Sequence, residues 1–150
     1  MATAREHQLS AALFAVYDVV ARTHDVLAPA VHEYGITATT AHLLWVIDPD
    51  EQPPSMRTAA ARAHCTPQNV TFMCQQLEAR GLVERKASPT DQRQRVIELT
   101  ERGRAARDAI IALISTASPL AEKPGSALDA ITELLSAPSE FSGRPGSPGT

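Results

Sequence analysis

At 150 residues, with 43% hydrophobic and 21% charged residues, the chain can form one folded domain with extra helices, but not a large multi-domain machine. Its low aromatic content of 4% and its many alanines favour helices over strands. No apolar run approaches the ~18 residues of a membrane span, and the N-terminus has no secretion signal, so we expect a cytoplasmic protein.

Charge is distributed unevenly along the chain. The net charge is −3, yet residues 55–107 carry ten basic and five acidic side chains, a local charge of +5, while the remainder carries −8. Such segregation can steer a polyanion toward one part of a molecule, although charged surface residues are most often simply solvated. The sequence therefore points to residues 55–107 for any nucleic-acid contact.

The first predicted element is a long helix within residues 5–32, a stretch without glycine. Leu9, Leu13, Val16 and Val20 recur at helical spacing, and further apolar residues lie outside that stripe. A helix that is apolar on more than one side needs two packing partners. We expect its own domain on one side, and on the other either a second subunit or more of the same core.

Capping residues predict where the next helices begin. Thr37, Ser55 and Thr66 are each placed to accept hydrogen bonds from the first N–H groups of a helix. Pro67 at the first helical position strengthens the third of these signals, and Gly81 can adopt the left-handed conformation just past that helix. The last two helices are short and close together, which predicts a helix-turn-helix.

The second half of the chain predicts a hairpin followed by two helices. Residues 82–86 and 95–99 are short extended segments joined by turn-forming residues, and Thr100 can cap the helix that follows. A short amphipathic helix over 127–136 comes next, and the Gly- and Pro-rich residues 137–150 predict a disordered tail. The fold expected is mainly α with a small β-hairpin wing, a winged helix-turn-helix.

The helix that begins after Thr66 has two distinct faces. At ~100° per residue, Val70, Met73, Cys74 and Leu77 fall on one side, which we expect to be core. Amides on the other side can donate and accept together against adenine, and methyl or aromatic groups can meet thymine methyls. The residues expected to face outward are Gln68, Asn69, Thr71, Phe72, Gln75 and Gln76.

A resemblance to a known family adds to this pattern. Residues 66–103 resemble the DNA-binding lobe of the MarR family of bacterial transcriptional regulators, most specifically in LEARGLVER and in D-x-R followed by LT-x-x-G. The second motif consists of Asp91, Arg93, Leu99, Thr100 and Gly103. The similarity is clear over residues 37–107, whereas the flanking helices match by arrangement only. His64 stands where the family usually has a turn glycine, so we expect a left-handed backbone there.

The resemblance implies a homodimer. Residues 1–36 would form an N-terminal dimerisation helix, 37–100 the winged helix-turn-helix lobe, and 101–136 the C-terminal dimerisation helices. The residues expected at the interface are Leu9, Leu13, Val16, Ile110, Leu113, Ile114, Leu128, Ile131 and Leu135.

The resemblance also implies how the lobe would contact double-stranded DNA. The wing arginine Arg93 would reach the minor groove, with Asp91 beside it to stabilise the wing, and Arg95 would assist. Arg57, Arg85 and Lys86 are candidates for phosphate contacts. The expected DNA-binding set consists of these basic residues, Thr66 and the six outward-facing residues of the helix that follows it.

Other chemistries find little support in the sequence. The five histidines and two cysteines have no metal-ligand spacing, no nucleophile elbow or phosphate loop occurs, and we expect neither a cofactor nor an enzyme. Cys65 and Cys74 are expected to be small buried hydrophobes, with a thiol switch as the alternative.

Two functions remain open on the sequence alone. The favoured one is a ligand-responsive repressor that binds a pseudo-palindromic operator, and the alternative is a protein-interaction module with weak or lost DNA binding. Family members often bind small aromatic effectors in a cleft, which Tyr17, His24, His42 and Trp45 could line here, although these residues could equally be plain core.

Overall fold

The computed structural model describes residues 1–136. Within this part of the chain, seven helices flank one two-stranded antiparallel sheet, as the predicted fold class requires. The elements are α1 (Ala4–Val26), α2 (Ala28–Tyr34), α3 (Ala38–Val46), α4 (Met56–Arg62), α5 (Pro67–Ala79), β1 (Val83–Ala87), β2 (Arg95–Leu99), α6 (Glu101–Ala117) and α7 (Gly125–Leu135). The tail predicted over 137–150 lies outside the described residues.

The N-terminal helical segment is divided in two. A helix within 5–32 was predicted, and the structure breaks it at Leu27, between α1 and α2. Pro29 has no N–H, so it cannot make the hydrogen bond that would continue α1 past this point. α2 then ends at Gly35, whose φ of 63° is the left-handed conformation that glycine adopts without strain.

The predicted N-terminal caps are present. The hydroxyls of Thr37, Ser55 and Thr66 accept hydrogen bonds from the third residue of α3, α4 and α5, over 3.2, 3.1 and 3.2 Å. In the turn between α4 and α5, His64 has a φ of 52°, and Gly81 after α5 has a φ of 70°. Both left-handed positions were predicted. The conformation is energetically less favourable at His64 than at Gly81, because the histidine carries a Cβ.

The wing is a hairpin that lies against the helix-turn-helix. β1 and β2 pair from Val83 opposite Leu99 to Ala87 opposite Arg95. The N–H of Ile97 also donates to the carbonyl of Pro54 over 2.9 Å, next to a bridge between Ser55 and Val96. The segment before α4 therefore pairs with the outer edge of β2, which ties the wing to the first helix of the motif.

One apolar core holds the winged lobe together. Its buried members come from α2 to α6 and from both strands, and α5 supplies the four residues that the helical wheel predicted. Ile110 of α6 is fully buried in this core. A side chain with no exposed surface cannot contact another subunit, so Ile110 does not belong to the expected dimer interface.

α1 and α7 differ from the other helices because neither contains a buried residue. Large apolar side chains are exposed on both, as at Leu13, Phe14 and Leu134. Within residues 1–136, no helix is long and apolar enough to cross a membrane.

Thr100 and Gly103 join the wing to α6. The hydroxyl of Thr100 donates to the carbonyl of Gly81 over 2.6 Å and accepts from the N–H of Gly103 over 3.0 Å. A Cβ on Gly103 would lie only 1.8 Å from the carbonyl oxygen of Leu82. The LT-x-x-G motif thus places a helix start against the base of the wing, at a distance that only glycine allows.

Gly103→Ala should therefore destabilise the protein. Alanine is the better helix former by about 1 kcal/mol, but the backbone clash must be relieved by moving α6 away from Leu82, and we expect a net loss of about 1–3 kcal/mol in the free energy of unfolding. Gly125→Ala is the matched control, because nothing lies within 4 Å of a Cβ at that position of α7. Urea denaturation of both variants checks this, and equal stability of the two would contradict it.

Candidate nucleic-acid interface and ligand cavity

The outward face of α5 is a free, uncharged surface. Gln68, Gln75 and Gln76 are exposed on the side opposite to the buried Val70 and Leu77. Their amides can each donate and accept a hydrogen bond. This face therefore has the hydrogen-bonding capacity that reading base edges requires.

Two threonines, the N-cap Thr66 and Thr71 in the first turns of α5, have part of their hydrogen-bonding capacity already used. The hydroxyl of Thr66 accepts from the N–H of Asn69 as the helix cap, which leaves its proton available. The hydroxyl of Thr71 donates to the carbonyl of Pro67 over 2.9 Å. Thr71 can therefore offer its methyl group and an acceptor oxygen, but not a donor.

Phe72 lies in the middle of this face and is 60% exposed. Within residues 1–136, Phe72 belongs to no buried apolar cluster. An aromatic ring held among glutamines on a rigid helix is available to an external apolar group, such as a methyl group on a base or a partner protein.

The cations around α5 differ in how strongly they are already paired. The guanidinium of Arg85 on β1 forms a two-bond ion pair with Glu78 of α5, and its Nη2 lies 3.2 Å from the Glu78 carboxylate. Hydrogen bonding to Glu78 raises the pKa of Arg85. The ammonium of Lys86 lies 3.5 Å from Glu84 and 3.4 Å from Glu98, and its pKa is raised chiefly by Glu98. Both cations have part of their charge compensated.

Of the cations expected to contact DNA, three more are exposed: Arg57 near the start of α4, Arg93 in the wing loop, and Arg95 at the start of β2. Within residues 1–136, none of the three makes an ion pair. Their full charge is therefore available to a polyanion, unlike that of Arg85 and Lys86.

The wing loop is organised by its own backbone. The carboxylate of Asp91 accepts a hydrogen bond from the backbone N–H of Arg93 over 3.0 Å, and the carbonyl of Asp91 accepts from the N–H of Gln94. The N–H of Ser88 donates to the carbonyl of Gln94 over 2.8 Å and closes the loop. Asp91 therefore fixes the backbone of the wing loop at Arg93. The Arg93 side chain extends from this turn into solvent.

A second candidate site lies away from this surface. A cavity of about 680 Å³ opens between α1, α3, α6 and α7. It is lined by Val19, Val20, Thr23, His24, Leu27, His42, Trp45, Ile114, Ser115, Ser118, Leu120, Ala121 and Leu128. Of the four residues considered from the sequence, His24, His42 and Trp45 line it, and the exposed Tyr17 does not. The lining residues on α6 and α7 were not predicted, because the apolar repeat of a helix does not show which distant helix it will pack against.

The rings of His42 and Trp45 pack edge to face in this cavity, with centroids 5.8 Å apart. Burial, with the nearby His64 and His24 adding to it, lowers the pKa of His42, which favours its uncharged imidazole. The carbonyl of Trp45 accepts from Nε of Arg107 on α6 over 3.3 Å, and the carbonyl of Val46 from Arg62 on α4 over 3.4 Å. The C-terminal end of α3 is thus held by both neighbouring helices.

The cysteines lack the features of reactive thiols. Cys74 is buried on the core face of α5, as predicted, and burial raises its pKa to about 11. Cys65 is only partly buried, so it is less enclosed than the sequence suggested, and burial also raises its pKa. A thiol is nucleophilic as its thiolate, so both are poorly reactive at neutral pH. Within residues 1–136, no three potential ligands come together to hold a metal ion.

Comparisons with known proteins agree with this geometry. The model of the MarR family matches residues 34–94, which span α2's last residue to the wing loop. The comparison with curated proteins found no match.

Three solved structures illustrate the similarity. A MarR-family transcriptional regulator from Rhodococcus sp. RHA1 is 23% identical, with a TM-score of 0.72 over 89% of this chain and 94% of that one. CouR from Rhodococcus jostii RHA1, bound to p-coumaroyl-CoA, is 23% identical, with a TM-score of 0.69 over 81% and 87%. The transcriptional repressor CouR bound to a 23-mer DNA duplex gives 26% identity and a TM-score of 0.60 over the same shares. Residues 34–94 of this chain therefore match the MarR family model, and the chain shares the fold of these solved structures.

Proposed function

We propose that this protein is a sequence-specific DNA-binding transcriptional regulator that acts as a homodimer on a pseudo-palindromic operator. The observation that carries the proposal is the exposed amide face of α5, which lies on the second helix of a helix-turn-helix beside three unpaired arginines. The match of residues 34–94 to the MarR family model and the DNA-bound structure of CouR support it. Residues 37–100 would be the DNA-binding lobe.

In this proposal α5 enters the major groove. Gln68, Gln75 and Gln76 would read base edges with their amides, with Asn69 at the flank. Phe72 and the methyl group of Thr71 would contact thymine methyls, an apolar contact that the geometry of both residues permits. In a two-fold dimer, two such helices would lie in successive major grooves, ~34 Å apart.

The exposed cations would supply the phosphate and minor-groove contacts. Arg57 and the hydroxyl of Thr66 lie at the N-terminal ends of α4 and α5, where the helix dipole also favours an anion. Arg93 and Arg95 would contact DNA from the wing. Arg85 and Lys86 would contribute less, because a phosphate must compete with the carboxylates that already hold them.

The dimer interface would be built from α1, α6 and α7. An 11-residue helix such as α7 is only marginally stable in water unless it packs against something, and α7 has no buried residue in a single chain. Leu9, Leu13 and Val16 of α1 and Leu128 and Leu135 of α7 are exposed. Packing these surfaces against a second copy would cover them. Residues 1–36 and 101–136, including the half-buried Leu113, Ile114 and Ile131, would thus form the dimerisation region.

The regulator would be a repressor that responds to a small aromatic effector. CouR is a transcriptional repressor, and its structure with p-coumaroyl-CoA shows that a protein of this fold can bind an aromatic molecule. The cavity beside His42 and Trp45 would hold such a molecule, and its volume of about 680 Å³ supports this because it lies within the ~300–1,000 Å³ common for small-molecule sites.

A protein-interaction module is the second candidate, and the exposure of Phe72 favours it. An aromatic ring surrounded by uncharged residues is as suitable for a protein partner as for DNA. A gel shift with the DNA that flanks the chain's own gene separates the two functions. Saturable, sequence-dependent retardation supports the regulator, and no retardation at low salt supports the module.

Arg93→Ala should weaken DNA binding and reduce its dependence on salt. Each cation that no longer neutralises DNA charge removes about 0.9 from the slope of log K against log salt, so a dimer that loses Arg93 from both subunits should show a slope smaller by about 2. Fluorescence anisotropy titrations at several salt concentrations measure both quantities. Lys123→Ala, which removes a cation outside the winged lobe, is the control. An unchanged slope for Arg93→Ala would exclude the wing from DNA contact.

Substitution of Asp91 should distinguish a backbone role from a charge role. Asp91→Asn keeps an oxygen that can accept from the N–H of Arg93, whereas Asp91→Ala removes it. We expect the alanine variant to speed hydrogen exchange at the Arg93 amide by up to about tenfold and to weaken DNA binding, and the asparagine variant to do neither. NMR hydrogen exchange measures the first effect and anisotropy the second. If asparagine behaved like alanine, the carboxylate charge would be the relevant property.

Leu13→Asp should shift the protein from dimer to monomer. Leu13 is 51% exposed on the apolar stripe of α1, and a buried unpaired carboxylate would cost the dimer several kcal/mol. Ala11→Asp is the matched control, because Ala11 is also exposed but lies about 160° from Leu13 around the helix. Sedimentation velocity over a range of concentrations measures the effect. A Leu13→Asp variant as dimeric as wild type would place the interface elsewhere.

A further inference from the structure

The outward face of α5 lacks free charge. From Pro67 to Ala79 the only acidic or basic side chain is that of Glu78, and two hydrogen bonds from Arg85 of β1 already hold its carboxylate. The next cation along the chain is the C-cap Arg80, whose guanidinium lies 3.1 Å from where a Cβ on Gly35 would be, against the end of α2. α5 therefore directs neither a free carboxylate nor a free cation along its outward face.

This composition limits which base pairs α5 can read. Guanine presents two acceptors in the major groove, N7 and O6, and is best read by the paired donors of arginine or lysine, whereas the N4 amino group of cytosine is best read by a carboxylate. An amide set against guanine could donate to it, but the amide oxygen would then face no donor on that base. A G·C pair in contact with α5 would thus leave hydrogen-bonding groups unsatisfied, which lowers affinity.

The amides of α5 match adenine instead. Within residues 1–136, the side-chain hydrogen bonds of this helix and its N-cap involve only Thr66, Thr71 and Glu78, so the amide groups of the exposed face are free. Adenine presents an acceptor at N7 and a donor at N6, and one glutamine or asparagine amide can bond to both. The three exposed glutamines of this face therefore find both of their partners on adenine.

Phe72 lies at the centre of the same face, one turn after Gln68 and one turn before Gln75. Its ring is 60% exposed and has no polar atom, so it gains most from an apolar partner. In the major groove that partner is the 5-methyl group of thymine, which cytosine lacks. Thr71 adds a second methyl group beside the ring, since its hydroxyl proton is already donated within the helix. This part of α5 therefore distinguishes the two pyrimidines by a methyl group.

We propose that α5 reads A·T base pairs, with its glutamine amides on adenine and Phe72 on the 5-methyl group of thymine, and that Phe72 is a specificity-determining residue. This inference rests on the proposed function, because it names the base pairs within the operator that the function requires. In a two-fold complex whose helices lie ~34 Å apart, these pairs lie about five base pairs on each side of the dyad.

Base analogues separate reading by α5 from any A·T preference of the wing in the minor groove. A selection over randomised duplexes with the full chain supplies the operator. A pair of 2,6-diaminopurine with thymine keeps the major-groove edge of A·T and carries the minor-groove amino group of G·C, and a pair of hypoxanthine with cytosine does the reverse. When they replace the A·T pairs about five from the dyad, we expect the first to change affinity less than about twofold and the second to weaken it at least about tenfold. Fluorescence anisotropy measures both.

Uracil in place of thymine tests Phe72, because it removes only the methyl group. Burial of one such group accounts for roughly fourfold in affinity, so a dimer that loses one methyl contact in each half-site should bind roughly 15-fold more weakly. Phe72→Ala should bind the thymine and uracil duplexes with affinities within about threefold of each other, the remainder being the methyl contact of Thr71. Phe14→Ala removes another exposed phenylalanine, on α1, and should keep the ratio of the wild type.

Three results would overturn the inference while leaving the proposed regulator in place, because each requires a protein that binds its operator. They are selection of G·C pairs about five from the dyad, a diaminopurine duplex that binds as weakly as the hypoxanthine duplex, and a thymine-to-uracil ratio that Phe72→Ala does not change. Failure to bind any duplex at low salt would refute both the inference and the proposed function.

Discussion

The arrangement of the winged lobe depends on the contact between the start of α6 and the base of the wing. Thr100 donates its N–H to the carbonyl of Leu82 over 3.1 Å and its hydroxyl to that of Gly81, and the same hydroxyl caps α6. One residue thereby fixes the end of α5, the beginning of β1 and the direction of α6. Gly103 makes this possible, because its missing side chain leaves room for the carbonyl of Leu82. The position of the outward face of α5 relative to the dimerisation helices follows from that contact.

α3 is the element that the cavity and the helix-turn-helix share. One side of it contributes Leu43 and Leu44 to the core, while His42 and Trp45 line the cavity. Its last carbonyls accept hydrogen bonds from Arg62 of α4 and Arg107 of α6, and Arg62 also pairs with Glu51 in the loop between α3 and α4 over 3.2 Å. A molecule that displaced Trp45 would therefore act on a helix end to which α4 is directly bonded. These contacts form a short, continuous path from the cavity to the first helix of the motif.

The sequence was informative wherever the relevant physics is local. Caps such as Thr37 and Thr66, the left-handed Gly81 and the buried side of α5 each depend on residues within about one helical turn, and each was predicted. The left-handed backbone at His64 was predicted only from the resemblance to the MarR family. Contacts between elements were not predicted. The ion pair between Glu78 and Arg85 joins α5 to β1, and nothing in the spacing of the two residues shows that it would compensate a cation expected to meet phosphate. Ile110 fits a helical repeat equally well as core or as interface, and only the packing of α6 decides between them.

In a lobe built in this way, electrostatic attraction to DNA and discrimination between base sequences depend on different residues. The unpaired cations expected to contact DNA lie on α4 and the wing, whereas the exposed face of α5 is made of amides, a hydroxyl and one aromatic ring without a formal charge. Long-range attraction to phosphate is electrostatic and falls as salt rises, but hydrogen bonds to base edges and apolar contacts with thymine methyls respond weakly to salt. Added salt should then lower the affinity for all DNA sequences by similar factors and preserve the ratio between a preferred operator and unrelated DNA. The preference for one operator over another would depend on Phe72 and the glutamines. The overall affinity for DNA would depend on Arg57 and the wing arginines.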